Sequence, residues 1–368
     1  MRSSHDCVTD RFSQRQAALR GRLQGEALDA LLVTHLPNIR YLTGFTGSAA
    51  VLLIARERTV VITDFRYAVQ APQEVGSAAE VLIDPVSVWT RLVGLLKEHD
   101  RWRVGIEAHV LTVGDATRIG KAFLGDVVPV TDLVEDLRVA KSTEEVEAIR
   151  AAAALAQEAW AEVLPSIRVG SAELAIAAAL EGALRRRGSE WHPFPTIVAS
   201  GTRSALPHAR TSARALESGD LLLVDFGAQV DGYCADLTRT YVVGARADER
   251  QRMVYDLVRE AQQHAMERLR AGMTGAEGDA LARDVVRRRG FGEAFGHALG
   301  HGLGLEIHEA PRLAASTETT IPAHAVVTVE PGIYLVGWGG VRLEDDVYLG
   351  PDGPECLSNP AAELIELL

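Results

Sequence analysis

The chain has 368 residues, of which 47% are hydrophobic, and at roughly 150 residues per domain this predicts two domains with cores of their own. Its 38 Lys and Arg residues are outnumbered by 50 Asp and Glu residues, and the formal net charge of −12 excludes a nucleic-acid partner bound through its phosphates. No apolar run approaches the roughly 18 residues of a membrane-spanning helix, so we also expect no membrane partner.

Short β-rich runs alternate with helical runs in the first part of the chain. A polar helix ends near Gly25. The predicted strands that follow are residues 30–34, 50–54, 59–63, 80–83 and 103–106, with a helix over residues 89–98 before the last of them. This alternation of strands and helices predicts an α/β layer.

A domain boundary is predicted near residue 140. Ser142 with Glu145 three residues later forms a capping-box pattern, which indicates that a new helix begins there and runs through Trp160. We therefore assign residues 1–140 and 141–368 to two domains. Further helices are predicted near residues 171–187, 248–271 and 275–289, and the strands among them are longer and hairpin-like, so the second domain is α+β.

The three cysteines of the chain are scattered. Cys7, Cys234 and Cys356 form no CxxC pair. Such scattered cysteines are more typical of a protein in a reducing compartment than of a fold held together by disulfides. The first residues also lack the apolar stretch of a secretion signal. The sequence thus predicts a cytoplasmic location.

Two acidic residues lie in a predicted hairpin of the second domain. Asp225 follows the apolar run Leu221–Val224, and the next predicted strand, Tyr233–Val243, begins after a turn at Asp231 and Gly232. Pairing about this turn places position 225 opposite 236 or 238, so Asp225 and Asp236 share one face. In the alternative, one acid caps a turn and the other pairs with Arg239.

The same construction recurs near the carboxyl terminus. Residues 326–329 form a buried-looking strand that ends in Glu330, and the glycine-rich segment 337–340 indicates a turn. Folding back about this turn places Glu344 opposite Glu330, with Arg342 and Asp346 on the same side as Glu344.

Four carboxylates in one site require positive charge, because like charges at close range raise one another's pKa. Two divalent cations would neutralise them, and oxygen-rich ligation favours Mn, with Co or Zn also possible. Between the two hairpins, residues 297–308 carry His297, His301 and His308, three of the eleven histidines of the chain. His208 precedes Asp225 by 17 residues and could approach the same place.

These segments resemble the pita-bread metallopeptidases, specifically the Xaa-Pro dipeptidases (prolidases) and aminopeptidases P. The resemblance extends to the first domain, which looks like the creatinase/prolidase-type N-terminal domain. The matching segments are residues 38–45, 63–67, 224–227, 232–240, 300–302, 330–334 and 340–345.

The resemblance implies a full set of site residues. It implies two metals bound by Asp225, Asp236, His301, Glu330 and Glu344. It also implies that the residues acting in catalysis and substrate binding are His208, His297, His308, Glu330 and Arg342. Where the family often has a Gly-x-Asn turn, this chain has Arg203, whose role stays open. The substrates implied are proline-containing dipeptides or short peptides, and the implied assembly is a homodimer formed through the first domain.

Several rival functions remain. An aminopeptidase P would remove one residue from longer peptides with the same ligands, and the compact chain favours the dipeptidase over it. A methionine aminopeptidase lacks the 140 residues at the amino terminus, and creatinase, which is metal-free, would be expected to lack the intact ligand set. The non-enzymatic rival is a peptide-binding module on the same fold, and such modules lose the ligands that this chain keeps.

Overall fold

The computed structural model of the protein describes the backbone from residue 4 and the side chains from residue 11 onward to residue 368. The side chain of Cys7 therefore lies outside the described residues, whereas Cys234 and Cys356 are free thiols. In the part of the chain so described, no helix is long and apolar enough to cross a membrane. The chain divides into two compact units, Met1–Arg138 (unit 1) and Val139–Leu368 (unit 2).

Unit 1 is built on a six-stranded mixed sheet in the order β4-β3-β2-β1-β5-β6. The strands are β1 (Ala30–Val33), β2 (Ala50–Ala55), β3 (Thr59–Thr63), β4 (Glu80–Ile83), β5 (Arg103–Glu107) and β6 (Asp126–Val130). The helices are α1 (Ser4–Gly25), α2 (Leu36–Thr43), α3 (Gln70–Val75), α4 (Val88–Leu96), α5 (Val113–Ala122) and α6 (Glu135–Val139), of which α6 lies at the junction of the two units. Strand β2 is antiparallel to its two neighbours β1 and β3, and all the other neighbouring pairs are parallel.

The elements of unit 1 follow from their apolar runs and caps. All four residues of β1 and all five of β3 are buried, as expected for continuous apolar strands in a sheet covered on both faces. Ser87 and Thr112 accept hydrogen bonds from the first turns of α4 and α5 and so fix where these helices begin. The predicted α/β layer is confirmed.

Unit 2 carries four long helices and two separate sheets, which confirms the predicted α+β class. The helices are α7 (Thr143–Val163), α8 (Glu173–Arg186), α9 (Glu249–Arg268) and α10 (Gly275–Arg288). Three of them, α7, α9 and α10, begin with complete capping boxes formed by Ser142 with Glu145, Asp248 with Gln251 and Thr274 with Glu277. A cap of this kind stabilises a helix by about 1 kcal/mol.

The strands of unit 2 are β7 (Ile197–Ser200), β8 (Leu221–Phe226), β9 (Gln229–Val230), β10 (Tyr233–Cys234), β11 (Leu237–Val243), β12 (Gly300–Gly302), β13 (Glu309–Leu313), β14 (Val326–Val329), β15 (Gly332–Leu335), β16 (Gly339–Arg342), β17 (Asp345–Gly350), β18 (Gly353–Cys356) and β19 (Ile365–Leu367). One sheet has the order β19-β11-β8-β7, and the other has the order β13-β12-β14-β17-β18. Two-stranded ladders join β9 to β10 and β15 to β16.

Each helix pair packs on a different part of unit 2. Residues of α7 and α8, including Ala156 and Leu180, form one buried cluster with Val224 of the first sheet. Residues of α9 and α10 form a second cluster with Val327 and Val347 of the other sheet. Because each fully buried aliphatic side chain contributes roughly 1.5–3 kcal/mol, these clusters hold the two sheets firmly in place beside the site described below.

The first predicted hairpin is present but interrupted. Asp231 and Gly232 form its turn with φ values of 49° and 78°, the left-handed conformation that a two-residue hairpin turn requires. The prediction of one strand from Tyr233 to Val243 is wrong in detail, because Asp236 lies in a gap between β10 and β11. The backbone N–H of Asp236 donates to Oδ2 of Asp346 at 3.1 Å instead of to a ladder partner.

The second predicted hairpin is two ladders rather than one. Strand β14 pairs with β17, so that Val329 lies opposite Asp345, and β15 pairs with β16 in the same register. The break between them falls at Pro331, which has no N–H to donate to a ladder. Glu330 is therefore released from the sheet next to Glu344, the neighbour that the register predicts.

Candidate metal centre

Five potential ligands converge where the two sheets of unit 2 meet. The two sheets are joined at this point by an isolated bridge between Thr238 and Glu344. The five side chains come from five segments: Asp225 in β8, Asp236 just before β11, His301 in β12, Glu330 after β14, and Glu344 between β16 and β17.

Glycines on both sides of His301 allow the neighbouring strands to approach it. A Cβ at Gly300 would lie 2.0 Å from the carbonyl oxygen of Thr328, and one at Gly302 would lie 2.1 Å from that of Ala310. Any side chain larger than hydrogen would thus push the strands apart. The Gly-His-Gly motif therefore lets β12 pack closely against its neighbouring strands, which fixes the position of His301.

Three of the five candidate ligands lie close enough to one another to share one ion. Donor atoms of Asp236, His301 and Glu344 all lie within 4.8 Å of one another. The Nε2 atom of His301 is 3.8 Å from Oδ2 of Asp236 and 3.6 Å from Oε1 of Glu330, so Glu330 borders the same space. Asp225 is buried beside them and accepts a hydrogen bond of 2.5 Å from Nη2 of Arg342.

The tautomer of His301 follows from its hydrogen bond. Its Nδ1 lies 3.0 Å from the carbonyl oxygen of Gly302, which can only accept, so Nδ1 carries the proton. Burial lowers the pKa of His301 to about 4, and the ring is neutral near pH 7. Its Nε2 therefore presents a lone pair to the carboxyl groups of Asp236 and Glu330.

The four carboxyl groups of the site lie close together, and the side chains around them supply too little positive charge to balance them. Burial first, and then the negative charges of its neighbours, raise the pKa of Asp236 well above its usual range. The pKa values of Glu330 and Glu344 are raised for the same first reason, burial, and Arg342 only partly offsets this effect. Burial raises the pKa of Asp225 as well.

The residues present fit a pair of divalent cations. The Oδ1 atoms of Asp225 and Asp236 are buried and accept no hydrogen bond, although a buried carboxylate oxygen normally has a partner. These oxygens, the lone pair of His301 and the raised carboxyl pKa values all indicate a site built for cations. Four carboxylates and one imidazole are a donor set suited to Mn, Co or Zn.

A cleft of about 950 Å³ opens over these ligands. His208, His297 and His308 all line it, as do Glu330 and Arg342, so the structure brings together all the residues named in advance for catalysis. The rings of His308 and His301 pack edge to face with centroids 4.4 Å apart. Burial and then the nearby His208 lower the pKa of His308.

His297 lies in a hydrogen-bonded chain that the sequence analysis did not foresee. Its Nδ1 faces the carbonyl oxygen of Ala298 at 2.8 Å and so carries the proton. Its Nε2 therefore accepts from the hydroxyl of Tyr334 at 2.9 Å, and that hydroxyl accepts from Nη1 of Arg342 at 2.9 Å. Burial lowers the pKa of His297 to about 4, which keeps the ring neutral.

Thr238 is a second residue that the sequence analysis missed. Its Oγ1 donates to Oε2 of Glu344 at 2.6 Å and accepts from Nε of Arg342 at 3.1 Å. The signal was present, because Thr238 has the same parity as Asp236 and lies opposite Asp225. No sequence pattern predicts the role of Tyr334, because its hydrogen bond to His297 joins two separate elements.

Other named residues have structural partners. Arg203 contacts the buried carboxylate of Glu173 and does not line the cleft. Arg239 pairs with Asp345 at 2.7 Å, so the alternative in which Asp236 pairs with Arg239 is wrong. The expected alternation holds, since Asp345 turns to Arg239 whereas Asp346 turns to the backbone of Asp236.

Both units match the profiles of known protein families. The profile described as "Metallopeptidase family M24" matches residues 147–351, and the profile described as "Creatinase/Prolidase N-terminal domain" matches residues 15–140. The uncharacterized peptidase YqhT of Bacillus subtilis is 40% identical over 92% of this chain and 96% of that protein.

Solved structures share the fold over nearly the whole chain. The Xaa-Pro dipeptidase from Bacillus anthracis superposes with a TM-score of 0.93 at 39% identity, covering 97% of this chain and 100% of that one. The X-Pro aminopeptidase from Thermotoga maritima has a TM-score of 0.87 at 37% identity, with 93% and 98% covered.

Proposed function

Because the chain belongs to metallopeptidase family M24, we propose that it hydrolyses the peptide bond preceding proline and acts as an Xaa-Pro dipeptidase dependent on two divalent cations. Its fold, an α/β N-terminal domain followed by a pita-bread catalytic domain, is the one shared by the prolidase structures. We assign residues 1–140 to the first domain and residues 141–368 to the second.

The proposal rests on a group of buried hydrogen-bond acceptors that have too little positive charge beside them. The neutral His301 and the carboxylates of Asp236 and Glu344 present acceptor atoms to one another within 4.8 Å. Ionised carboxylates so arranged repel each other unless a cation lies between them, and this repulsion together with burial raises their pKa values in the metal-free chain. A peptide-binding module would have no use for this arrangement, which supports an enzyme.

The metal ligands that we propose are Asp225, Asp236, His301, Glu330 and Glu344. Bound divalent cations at such a site polarise a peptide carbonyl and lower the pKa of water. Oxygen-rich ligation favours Mn over Co and Zn. We keep the homodimer and the cytoplasmic location as predictions of the sequence.

The chain's own residues supply proton transfer and orientation. Glu330 borders the ligand cluster and the cleft, where its carboxylate can take a proton from an attacking water and pass it to the proline nitrogen. His308 is neutral near pH 7 because of its lowered pKa, and it can donate an N–H to the oxygen of the scissile carbonyl. Arg342 donates hydrogen bonds both to Asp225 and to the hydroxyl of Tyr334, and it thereby orients Asp225 and, through Tyr334, His297.

The cleft also suits a proline ring. A proline amide has no N–H before cleavage, so selectivity for proline requires an apolar surface rather than an acceptor. Phe194, Ile197 and Ile307 line the cleft and offer such a surface next to His208. We propose that His208 and His308 border the two sides of the scissile bond.

A second candidate, aminopeptidase P activity, is favoured by the size of the cleft. About 950 Å³ lies at the upper end of the range for small-molecule pockets and leaves room for residues beyond the proline. The Thermotoga maritima structure bears that activity in its name. The two activities share their ligands, so only the products distinguish them.

The decisive experiment is product analysis by mass spectrometry. The Mn-loaded protein is incubated with Leu-Pro and Leu-Pro-Ala together, beside a sample treated with chelator. Chelator-sensitive loss of Leu-Pro with Leu-Pro-Ala intact supports the dipeptidase, and release of Leu from the tripeptide supports the aminopeptidase. Silence on both substrates overturns the Xaa-Pro proposal.

Two variants test the assignment of the residues. Asp236→Asn should lose activity and bound metal with little loss of fold, because it removes one ligand charge from the cluster. His208→Ala should keep its metal content and turn over more slowly, since His208 borders the substrate. Wild-type turnover in Asp236→Asn with its metals still bound would show that the ligand assignment is wrong.

A further inference from the structure

A second group of potential ligands lies in unit 1. His35 follows β1, His109 follows β5, and Glu135 is the first residue of α6. Strands β1 and β5 are parallel neighbours in the sheet, so their carboxyl ends lie at the same edge. Ligand sites of α/β sheets are found at this edge, where side chains from adjacent loops meet.

The three side chains are close enough to share one ion. Ring nitrogens of both histidines and a carboxylate oxygen of Glu135 lie within 4.8 Å of one another. Nε2 of His109 is 3.1 Å from Oε1 of Glu135, and Nδ1 of His35 is 3.8 Å from the same oxygen. Tetrahedral zinc ligands lie roughly 3.3 Å apart, so only a small inward movement of His35 is needed.

A buried network holds the carboxylate and His35 in place. Nδ2 of Asn38 donates to Glu135 at 2.5 Å and to Glu107 at 2.7 Å, while Nη1 of Arg138 donates to Oδ1 of Asn38 at 2.7 Å. The other oxygen of Glu107 accepts from the backbone N–H of His35 at 2.8 Å. Hydrogen-bonded partners of this kind orient the ligands of metal sites.

The charge and accessibility of the group also suit a cation. Glu135 supplies a carboxylate whose Oε1 accepts a hydrogen bond from Nδ2 of Asn38 and faces both histidine rings. The three side chains are 20%, 38% and 21% exposed, in the order His35, His109 and Glu135, which leaves an ion a path from solvent.

We infer that His35, His109 and Glu135 bind one divalent cation of the zinc type, separate from the catalytic metals. Two imidazoles and one carboxylate are the protein ligands of His₂Glu zinc sites, in which water completes the tetrahedron. The catalytic cluster offers four carboxylates and one imidazole, so the two sites select different metals. The histidine-rich site favours zinc, whereas the catalytic site that we propose favours Mn.

The alternative is a simple ion pair in which a protonated histidine pairs with Glu135. Both explanations predict a folded unit 1, but only the first predicts bound metal. Because loss of an outer partner already weakens a metal site about 10- to 100-fold, loss of a ligand should weaken zinc binding by at least about 100-fold.

The test uses the full-length protein, stripped with chelator and then dialysed against buffered free Zn²⁺. Zinc per chain is counted by mass spectrometry of the elements for the wild type and for His35→Ala, His109→Ala and Glu135→Gln. His99→Ala is the matched control, since this histidine of unit 1 stacks on Trp102, away from the cluster. We expect the wild type and His99→Ala to hold one more zinc per chain than the three cluster variants.

A second readout locates the ion. Anomalous diffraction at the zinc edge should show a peak between His35 and His109 in crystals of the wild type and none there in His109→Ala. His109 is the most exposed of the three side chains, so its replacement should leave the fold intact by circular dichroism. Equal zinc counts in all five proteins, or no peak in the wild-type crystals, would overturn the inference. The Xaa-Pro activity of the cluster variants should match that of the wild type.

Discussion

The hydroxyl of Thr238 links Glu344 to Arg342 inside the proposed metal centre, and its removal is the most informative single change. Thr238→Val keeps the shape of the side chain and replaces the hydroxyl with a methyl group. Thr238 is fully buried, so water cannot replace the lost partner. Oε2 of Glu344 then loses a donor, and Nε of Arg342 loses an acceptor.

The expected magnitude follows from these two hydrogen bonds. The hydrogen bond to the charged Arg342 contributes about 1.5–3 kcal/mol and the one to the carboxyl of Glu344, which is protonated without metal, about 0.5–1.5 kcal/mol, so the loss of both costs roughly 2–4.5 kcal/mol of unfolding free energy. The buried methyl returns about 1 kcal/mol, which leaves a net loss of roughly 1–3.5 kcal/mol. Metal affinity depends on the donor that orients Glu344 and should fall about 10- to 100-fold.

Thr240→Val is the matched control. Thr240 lies two residues further along the same strand and is also buried, but its hydroxyl donates to the backbone oxygen of Arg342 at 2.9 Å and accepts from its N–H at 3.3 Å. Two neutral hydrogen bonds contribute about 1–3 kcal/mol, so this variant should also be destabilised. Its carboxylate ligands keep all their donors, and its metal affinity should not change.

Two measurements on the chelator-stripped proteins separate the effects. Urea unfolding followed by circular dichroism gives the loss of stability, and calorimetric titration with Mn²⁺ gives the metal affinity. The reasoning is refuted if Thr238→Val binds Mn²⁺ as tightly as the wild type. It is equally refuted if Thr240→Val weakens Mn²⁺ binding as much as Thr238→Val does.

Three further predictions concern charge in unit 2. Arg239→Met should lower the unfolding free energy by about 3–5 kcal/mol, because Asp345 is left buried without its cation; a loss below about 1 kcal/mol in urea unfolding would contradict this. The pKa of His297 is lowered from 6.5 to about 4, so the native state binds fewer protons than the unfolded state, and stability should fall by about 3 kcal/mol as the pH drops from 6.5 to 4. His297→Gln should lose that part of the pH dependence, and an unchanged profile would count against it. Metal-free protein at pH 6 should release protons when Mn²⁺ binds, because the pKa values of Asp236 and Glu344 are raised; a pH indicator in weak buffer measures the release, and its absence would be inconsistent with these carboxyls as ligands.

Much of the fold could be predicted because it depends on local patterns. Apolar runs predicted five of the six strands of unit 1 but not β6, and Ser142 with Glu145 predicted the start of α7. Parity across a two-residue turn was enough to place Asp225 and Asp236 on one face, since the side-chain period of a strand is two.

The remainder depends on contacts between distant segments. Thr238 reaches Glu344 across 106 positions of the chain, and the bridge exists only because two sheets meet there. Tyr334 reaches His297 across 37 positions, although each belongs to a different element. No local propensity encodes such pairs, because tertiary packing alone decides which polar groups face each other.

The pairing of Arg239 with Asp345 bears on how the chain avoids a misassembled site. Glu344, Asp345 and Asp346 are consecutive acids, so a slip of one residue would still bring an acid to two of the three positions, with the wrong one turned to the proposed metal centre. Arg239 binds Asp345 and also the backbone oxygens of Glu344 and Asn359, a combination that only one alignment of the strand satisfies. The buried ion pair thus stabilises the correct register of the strand over a register shifted by one residue. A chain that lacks the ion pair should populate folded but inactive molecules with the shifted register.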